Sequence, residues 1–407
     1  PDIQNLTTRV NELNNITKSE RPHIAFFGCT NSGKSSLVNA VTNQQLSVVS
    51  DIKGTTTDAV QKSMEILPLG PVVIIDTAGI NDWGKLGKLR VDATKRILDK
   101  TDIAVLVIDS TIGIQKADEE LIEEFKKRKI PHIFTYNKSD LRTPFTPNPS
   151  PTGGEGNYLF LSAKTGEGVD ELKEKLGHII NENGQEKYII RDRLKQGDVV
   201  ILVIPIDESA PKGRIILPQQ NVLRECLDSH AVVICTQVEE LQSFLNKYNP
   251  RYVITDSQVF NKVKDIVPEN ILLTSFSILM ANYRGKLKEL VDGAKNLSQL
   301  KDGDIVLISE GCTHHRQCND IGTVKLPNWI KSYTGKNIEF EFTQGGEFPQ
   351  DLSKYKLIIH CGGCMLNEAE MKNRQKKATE QNIPMVNYGM AIAYMNGILE
   401  RATKIFL

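Results

Sequence analysis

Two stretches in the last quarter of the chain concentrate cysteine and histidine: EGCTHHRQC at 310–318 and IIHCGGCM at 358–365. Cys361 and Cys364 have the C-x-x-C spacing that turns two sulfur atoms toward one metal centre, and Cys312 could supply a third. A thioredoxin-like redox pair, or two cysteines in a glycine turn, would have the same spacing. The spacing favours metal binding, with zinc at least as well supported as an iron–sulfur cluster. The candidate ligands are Cys312, His314, His315, Cys318, His360, Cys361 and Cys364.

A second group of residues near the start of the sequence predicts phosphate binding. HIAFFGCTNSGKSSLVNAV, at 23–41, reads as an apolar strand, a glycine-bounded loop and a helix that match G-x-x-x-x-G-K-[ST]. Backbone N–H groups of such a loop curl around phosphate oxygens, and the helix N-terminus adds the positive end of its dipole. We expect Lys34 to reach the β and γ phosphates and Ser35 to bind Mg²⁺. The predicted nucleotide contacts in this loop are Gly28, Asn31, Ser32, Gly33, Lys34, Ser35 and Ser36.

Three later motifs, VVIIDTAG, IFTYNKSD and LFLSAKTGEG, specify the nucleotide, and in each the polar residues follow an apolar strand. VVIIDTAG places Asp76 where a carboxylate can hold the magnesium shell and Gly79 where a backbone amide can approach the γ phosphate. In IFTYNKSD, Asp140 presents two acceptors to the N1–H and the exocyclic amine of guanine, donors that adenine lacks on that edge. The remaining predicted base-site residues are Asn137, Lys138, Ser162, Ala163 and Lys164.

Residues 21–180 with these motifs resemble the TrmE and Era branch of small GTPases. In that branch GTTTD, at 54–58, is the first switch, which favours Thr56 as the second Mg²⁺ ligand, with Thr55 and Thr57 as alternatives. Ile80 stands where Ras-like enzymes have a water-orienting glutamine. Relatives with an asparagine at the position of Asn31 use it to hold a potassium ion, so the resemblance implies potassium-stimulated GTP hydrolysis in which Lys34, Asn31, Thr56 and Gly79 act.

Composition limits the other possibilities. A chain of 407 residues is expected to form two or three domains. Lys plus Arg and Asp plus Glu both number 50, which removes the electrostatic reason to expect nucleic-acid or membrane binding. The apolar runs are shorter than the roughly 20 residues that span a bilayer, and seven cysteines argue against a complete disulfide framework. We therefore expect a cytoplasmic protein.

The sequence beyond residue 187 again alternates apolar strands with helical stretches, which predicts further α/β units. LKQGDVVILV, from Leu194, resembles LKDGDIVLIS, from Leu300, and NILLTSFSILMA, from Asn270, parallels NIPMVNYGMAIA, from Asn382. The middle and last regions are therefore predicted to be related units, of which the second carries the clustered cysteines.

C-x-H followed by about 45 residues and H-C-x-x-C, on a chain that opens with a TrmE-like GTPase, resembles the HydF family, the GTPase maturation factor of FeFe-hydrogenase. The resemblance implies a P-loop GTPase domain followed by two smaller α/β domains, one for dimerisation and one that holds a [4Fe-4S] cluster. We place these domains at residues 1–182, 183–264 and 265–407. The implied cluster ligands are Cys312, Cys361 and Cys364, with His314 and His360 as the motif histidines.

The same resemblance implies a function and partners. The protein would be a scaffold or carrier on which a di-iron precursor is assembled with two radical maturation enzymes and then delivered to the apo-hydrogenase. GTP binding would act as a switch for these interactions, and the chain would form a homodimer or a higher homo-oligomer. GTP or GDP, Mg²⁺, K⁺ and the cluster are the expected cofactors, and neither nucleic acid nor membrane is an expected partner.

A [4Fe-4S] cluster has four iron ions, and three cysteine ligands leave one of them for another ligand. Cys318 lies outside the family motif, and a scaffold that releases a metal unit benefits from an exchangeable position. We therefore predict a non-cysteine fourth ligand, with Glu310, His314 and His360 as candidates; the histidines could instead orient ligands by hydrogen bonds.

Two other functions compete with this interpretation. One is an RNA- or ribosome-associated GTPase with a zinc-binding module, as relatives of the GTPase portion suggest. The other is a redox enzyme that uses Cys361 and Cys364 as a dithiol.

Overall fold

The apolar segments ahead of the nucleotide motifs form the strands of one sheet. The computed structural model describes residues 19–43, 60–77, 87–142, 158–183, 187–206, 215–285, 287–311, 320–363 and 366–406. Every residue of the strand Ile103–Asp109 is buried, as expected for a parallel strand covered on both faces.

The chain divides into two compact units, Pro1–Gln185 with Asn367–Glu370, and the remainder.

The first unit contains a six-stranded sheet with the order β2-β3-β1-β4-β5-β6. Only the pair β2–β3 is antiparallel among its described strand pairs. Two apolar clusters form its core, one around Phe26 and Leu37 and the other around Phe27 and Phe125. Its elements are β1 His23–Phe27, α1 Lys34–Thr42, β2 Val60–Ile66, β3 Gly70–Asp76, α2 Gly87–Asp99, β4 Ile103–Asp109, α3 Lys116–Arg128, β5 His132–Asn137, β6 Tyr158–Phe160 and α4 Val169–Asn183.

The second unit contains two four-stranded parallel sheets. The first of them has the order β8-β7-β9-β10. Its elements are β7 Val199–Val203, α5 Leu217–Asp228, β8 Val232–Thr236, α6 Val238–Lys247, β9 Tyr252–Thr255, α7 Phe260–Ile266, β10 Leu272–Ser275 and α8 Phe276–Tyr283. The helix α9 Leu287–Ala294 follows this sheet in the chain and leads to the other sheet. The predicted domain boundary at residue 264 falls within α7, ahead of the last strand of this sheet.

The other sheet of this unit has the order β12-β11-β13-β14. A short π-helical turn, Ile321–Lys325, leads into the helix after its first strand. Its elements are β11 Ile305–Glu310, α10 Leu326–Thr334, β12 Glu339–Gln344, β13 Leu357–His360, α11 Glu368–Glu380, β14 Met385–Asn387, α12 Tyr388–Met395 and α13 Leu399–Thr403.

The two four-stranded sheets share one strand order, as expected if the middle and last regions are related units. In chain order, the first strand of each lies between the second and the third, and the fourth is at the edge. Local hydrogen bonds repeat as well. The backbone N–H of Lys195 donates to Asp198 Oδ2 at 2.8 Å, and that of Lys301 donates to Asp304 Oδ2 at 2.8 Å.

The helices that follow the fourth strands are also begun in the same way. The Ser275 hydroxyl accepts the N–H of Ile278, and the Asn387 side chain accepts the N–H of Met390. These side chains supply acceptors that the first turn of a helix lacks. The α/β class predicted for both regions is therefore confirmed.

Within the described ranges, no helix is both long enough and apolar enough to cross a membrane.

Candidate functional site

The P-loop connects β1 to α1, and its two glycines lie where a Cβ would collide with neighbouring atoms. Gly33 has φ of 84°, and a Cβ there would collide with the Asn137 side-chain amide. A Cβ on Gly28 would collide with the carbonyl oxygen of Val107. Asn31 is exposed and left-handed with φ of 67°, a conformation that asparagine tolerates better than most residues. The loop therefore has the close backbone curl that phosphate binding requires.

Lys34, Ser35 and Asp76 meet beneath this loop. The Ser35 hydroxyl donates to Asp76 Oδ2 at 2.9 Å. Burial lowers the pKa of the Lys34 ammonium and raises the pKa of Asp76, and the attraction between the two charges opposes both shifts. Asp76 Oδ1 is buried, and within the described part of the chain it accepts no hydrogen bond. A buried carboxylate oxygen with an unused lone pair beside a serine hydroxyl fits a hard cation such as Mg²⁺.

Asn137 joins the P-loop to the loop after β6. Its side chain is 2% exposed, and its amide nitrogen donates to the Ser32 carbonyl at 3.0 Å. Its amide oxygen accepts the backbone N–H of Ala163 at 3.0 Å. One buried amide thus fixes the phosphate loop relative to the predicted base loop.

The other two polar residues of the same motif are held at the rim. Lys138 Nζ donates to Asp109 Oδ2 at 2.6 Å. Burial would raise the pKa of Asp109, but hydrogen bonds from Lys138 and Thr111 lower it, so the carboxylate stays charged. The exposed Asp140 carboxylate accepts a hydrogen bond from the buried Ser162 hydroxyl at 2.6 Å. Asp140 is therefore oriented from below while remaining open to a base.

The structure brings most of the predicted nucleotide residues to the carboxyl edge of the first sheet. Ser36 and Lys164 are exposed there, on α1 and on the loop after β6. Thr56, Gly79 and Ile80 lie outside the described residues.

The second candidate site lies at the carboxyl ends of β11 and β13, which are adjacent strands. Glu310 ends β11, His360 ends β13, and Cys361 follows directly. In open parallel sheets, ligands bind where the strand order reverses, and the order β12-β11-β13-β14 reverses between β11 and β13. The fold therefore places three of the predicted metal-site residues at its natural binding position.

Cys361 is half-buried, and its sulfur faces backbone amides. Its Sγ accepts the N–H of Gly311 at 3.0 Å and that of Gly363 at 3.4 Å. Gly363 is left-handed with φ of 63°, and a Cβ there would collide with Met371. Amide donors stabilise a thiolate, which is the form that binds metal.

Two buried arginines hold the backbone around this cysteine. Arg284, from the end of α8, donates to the carbonyl of Gly363 and to that of Leu366 at 2.7 Å. Arg374, from α11, donates to His360 Nε2 at 3.0 Å. These residues have no motif. Arg374 lies in EMKNRQKK, a highly polar stretch that is typical of a solvent-exposed helix face.

Glu310 is 4% exposed and faces Tyr388. The Tyr388 hydroxyl donates to Glu310 Oε1 at 3.3 Å. Burial and then the charge of Glu310 raise the pKa of Tyr388 well above its usual value, so the phenol keeps the proton that it donates. A Cβ at Gly322 would collide with both groups, which explains the glycine there.

Cys312, His314, His315, Cys318 and Cys364 lie outside the described residues. Among the residues that are described, no three His, Cys, Asp or Glu side chains are grouped to hold a metal ion. Residue 311, which immediately precedes Cys312, nevertheless contacts the Cys361 sulfur. A thiol supported by amide donors suits soft, thiolate-bound iron, so the described residues fit such a group.

Three family models match the chain. The model described as Hydrogen maturase F dimerization domain matches residues 189–285, and the Hydrogen maturase F tetramerization domain matches 288–405. A model described as 50S ribosome-binding GTPase matches residues 23–138. The predicted order, a P-loop GTPase domain followed by two α/β domains, is confirmed by these matches.

Curated relatives cover the first unit. The tRNA modification GTPase MnmE of Laribacter hongkongensis is 31% identical over 182 residues, which is 44% of this chain and 40% of that protein. GTPase Der of Kosmotoga olearia is 36% identical over 166 residues, 38% of this chain and 37% of its own. The chain thus spans about two fifths of the length of these relatives. The solved structure of Era from Aquifex aeolicus bound to GDP.AlF4- is 21% identical, with a TM-score of 0.33, and covers 54% of this chain and 93% of its own.

Both domains that follow the GTPase domain match models of one family, and together these matches cover more than half of the 407 residues. The chain therefore belongs to the hydrogen maturase F family.

Proposed function

We propose that this protein is a GTP-hydrolysing scaffold of FeFe-hydrogenase maturation that binds a [4Fe-4S] cluster and delivers a di-iron precursor to the apo-hydrogenase. The observation that carries this proposal is the position of Cys361, whose sulfur accepts two backbone amides at the switch point of the last sheet. The same chain carries a formed P-loop in a separate unit, and its family supplies the connection to hydrogenase maturation.

The nucleotide site supports guanine nucleotides and Mg²⁺. Lys34 would neutralise the β and γ phosphates, while Ser35, Asp76 and Thr56 would hold the metal ion. Asp140 would accept the two guanine donors, and the Gly79 amide would approach the γ phosphate. These residues orient GTP and stabilise charge, which is the main work of catalysis in phosphoryl transfer.

We infer that Asn31 contributes a potassium site. Its exposed amide stands on the P-loop, where a monovalent cation would lie near the phosphates. The cation would take the role of the arginine that other GTPases use to stabilise developing charge.

For the cluster, Cys312, Cys361 and Cys364 would be the thiolate ligands. The fourth position would be taken by a non-cysteine group, with Glu310, His314 and His360 as candidates. When bound, the cluster would supply an open iron to which a further metal unit attaches. The chain's own contribution would be to hold the Cys361 sulfur at the Gly311 and Gly363 amides.

GTP binding would change the affinity for partners, and hydrolysis would reset it through the loops that contain Thr56 and Gly79. The partners would be the radical maturation enzymes, the apo-hydrogenase and further copies of this chain, in line with the dimerization and tetramerization models. We also propose that the second domain ends near residue 286 rather than at 264, because β10 completes its sheet.

Asp140→Asn tests guanine recognition. An amide in place of the carboxylate loses the charged acceptor, so affinity for GTP should fall about 10- to 100-fold, whereas affinity for XTP, which carries an oxygen in place of the amine, should rise. Fluorescent-nucleotide titration measures both. The exposed Asp170→Asn is the matched control and should bind GTP normally. Unchanged GTP affinity in Asp140→Asn would refute the assignment.

Asn31→Gly tests the potassium site without backbone strain, because glycine accepts the left-handed conformation at this position. Wild-type GTP hydrolysis should be faster in potassium than in sodium by about tenfold or more, and Asn31→Gly should abolish the difference. Phosphate release in matched salts measures this. Equal wild-type rates in the two salts, or a variant that keeps the stimulation, would exclude the site.

Anaerobic reconstitution tests the scaffold function. The wild-type protein should hold about four iron and four sulfide ions per chain, and Cys361→Ala should lose most of them. Cys235→Ala removes an exposed thiol of the edge strand β8 and should leave the iron content intact. Stoichiometric zinc without sulfide would favour a zinc-containing GTPase, and a metal-free reversible disulfide would favour a dithiol enzyme; either result would overturn the proposal.

A further inference from the structure

We propose that Arg374 is a positioning residue that locks the His360 ring, so that His360 orients Cys361 through its carbonyl group and is not a metal ligand. This inference rests on the proposed cluster-binding function. Nothing in the sequence marks Arg374, and the assignment comes from its contacts.

Both partners are almost completely buried beside the candidate ligand. His360 is 1% exposed and Arg374 is 3% exposed. The arginine reaches from α11 to the end of β13, where His360 immediately precedes Cys361. Neither ring nitrogen can therefore rely on bulk solvent for a partner.

The chemistry of the two neighbours fixes the tautomer of the ring. An arginine only donates hydrogen bonds, so His360 Nε2, at 3.0 Å from Arg374 Nη1, must be the unprotonated acceptor. A carbonyl oxygen only accepts, so His360 Nδ1, at 2.7 Å from the Cys361 oxygen, must carry the proton. Both ring nitrogens are thus engaged by partners within the protein.

Arg374 is itself held by several groups and is not free to follow the ring. Its Nη1 donates to the Ser309 hydroxyl at 3.3 Å, and its Nη2 donates to the Gly345 carbonyl at 2.5 Å. The guanidinium carbon lies 5.2 Å from the centre of the Phe348 ring. The Ser309 hydroxyl also accepts from Thr343 at 3.0 Å, so the arginine links β11 and β13 with the loop after β12.

Cys361 is consequently fixed on both sides of its α-carbon. Its N–H donates to the Ser309 carbonyl at 2.9 Å, and its carbonyl accepts from His360. Freeing the ring would release one of these restraints and let the thiolate move away from the Gly311 amide. The buried arginine charge would also favour the more negative, reduced state of a nearby cluster.

The first readout uses the metal-free full-length protein with ¹⁵N-labelled histidine. The histidine signal that disappears in His360→Gln is that of His360, and long-range proton–nitrogen spectra should show it with a protonated Nδ1 and an unprotonated Nε2. His23 and His132 also direct Nδ1 at backbone carbonyls, so the variant is needed to assign the signal. In Arg374→Gln the same histidine should lose this signature, whereas Arg401→Gln, a matched change in an arginine that binds the Val267 and Pro268 carbonyls, should keep it. A protonated Nε2 on the histidine that His360→Gln identifies would overturn the inference.

The second readout uses the anaerobically reconstituted protein. Arg374→Gln should shift the midpoint potential of the cluster to more negative values, because it removes the buried positive charge. In the double variant with His360→Gln the effects of the two changes should not add, because the residues act as one unit. Pulsed electron paramagnetic resonance detects nitrogen atoms that are bound to the cluster. The spectra of the wild-type protein and His360→Gln should be the same in this respect.

The outcomes separate this inference from the function on which it rests. Loss of a coordinated nitrogen in His360→Gln, or additive shifts in the double variant, would overturn the positioning role while leaving the scaffold intact. A wild-type protein that takes up no iron and sulfide would overturn the scaffold function itself, and the metal-free spectra would still decide the tautomer. Circular dichroism of each variant distinguishes these results from a failure to fold.

Discussion

Buried polar side chains that hold loop backbone at the carboxyl ends of parallel strands are the interaction on which both candidate sites depend. A parallel sheet delivers its loops to one edge, but loops carry backbone groups that need partners once solvent is excluded. In the first unit, Asn137 meets that need for the Ser32 carbonyl and the Ala163 amide. In the second, Arg284 and the pair Arg374–His360 do so for Gly363 and Cys361.

The consequence is that the chemical groups are positioned before any ligand arrives. Asp140 is aimed by Ser162, and Asp76 is held by Ser35, while a lone pair on its second oxygen stays unused within the described residues. Cys361 is restrained through its own amide and carbonyl groups. Such preorganisation lowers the conformational-entropy cost of ordering the site when a ligand binds.

The parts of the molecule that short-range sequence patterns encode could be predicted from the sequence. The P-loop could be predicted because glycine spacing, the strand before it and the helix after it are all local. The relation between the two four-stranded sheets was also visible, since the glycine–aspartate strand entries at Asp198 and Asp304 repeat. Arg284, Arg374 and Tyr388 could not be found in this way, because an arginine or tyrosine on a helix has the same local sequence whether it faces solvent or a buried carbonyl.

The duplicated topology also explains where the two halves of the second unit differ. Thr255 ends the third strand of one half and Asp256 follows it, whereas His360 ends the third strand of the other half and Cys361 follows it. One scaffold therefore offers the same switch point twice, and a cysteine stands at one of them. The most direct test is an anomalous difference map at the iron edge from crystals of the anaerobically reconstituted protein. Iron density is expected adjacent to Cys361 Sγ at the carboxyl ends of β11 and β13; iron density elsewhere, with none at Cys361, would exclude Cys361 as a cluster ligand.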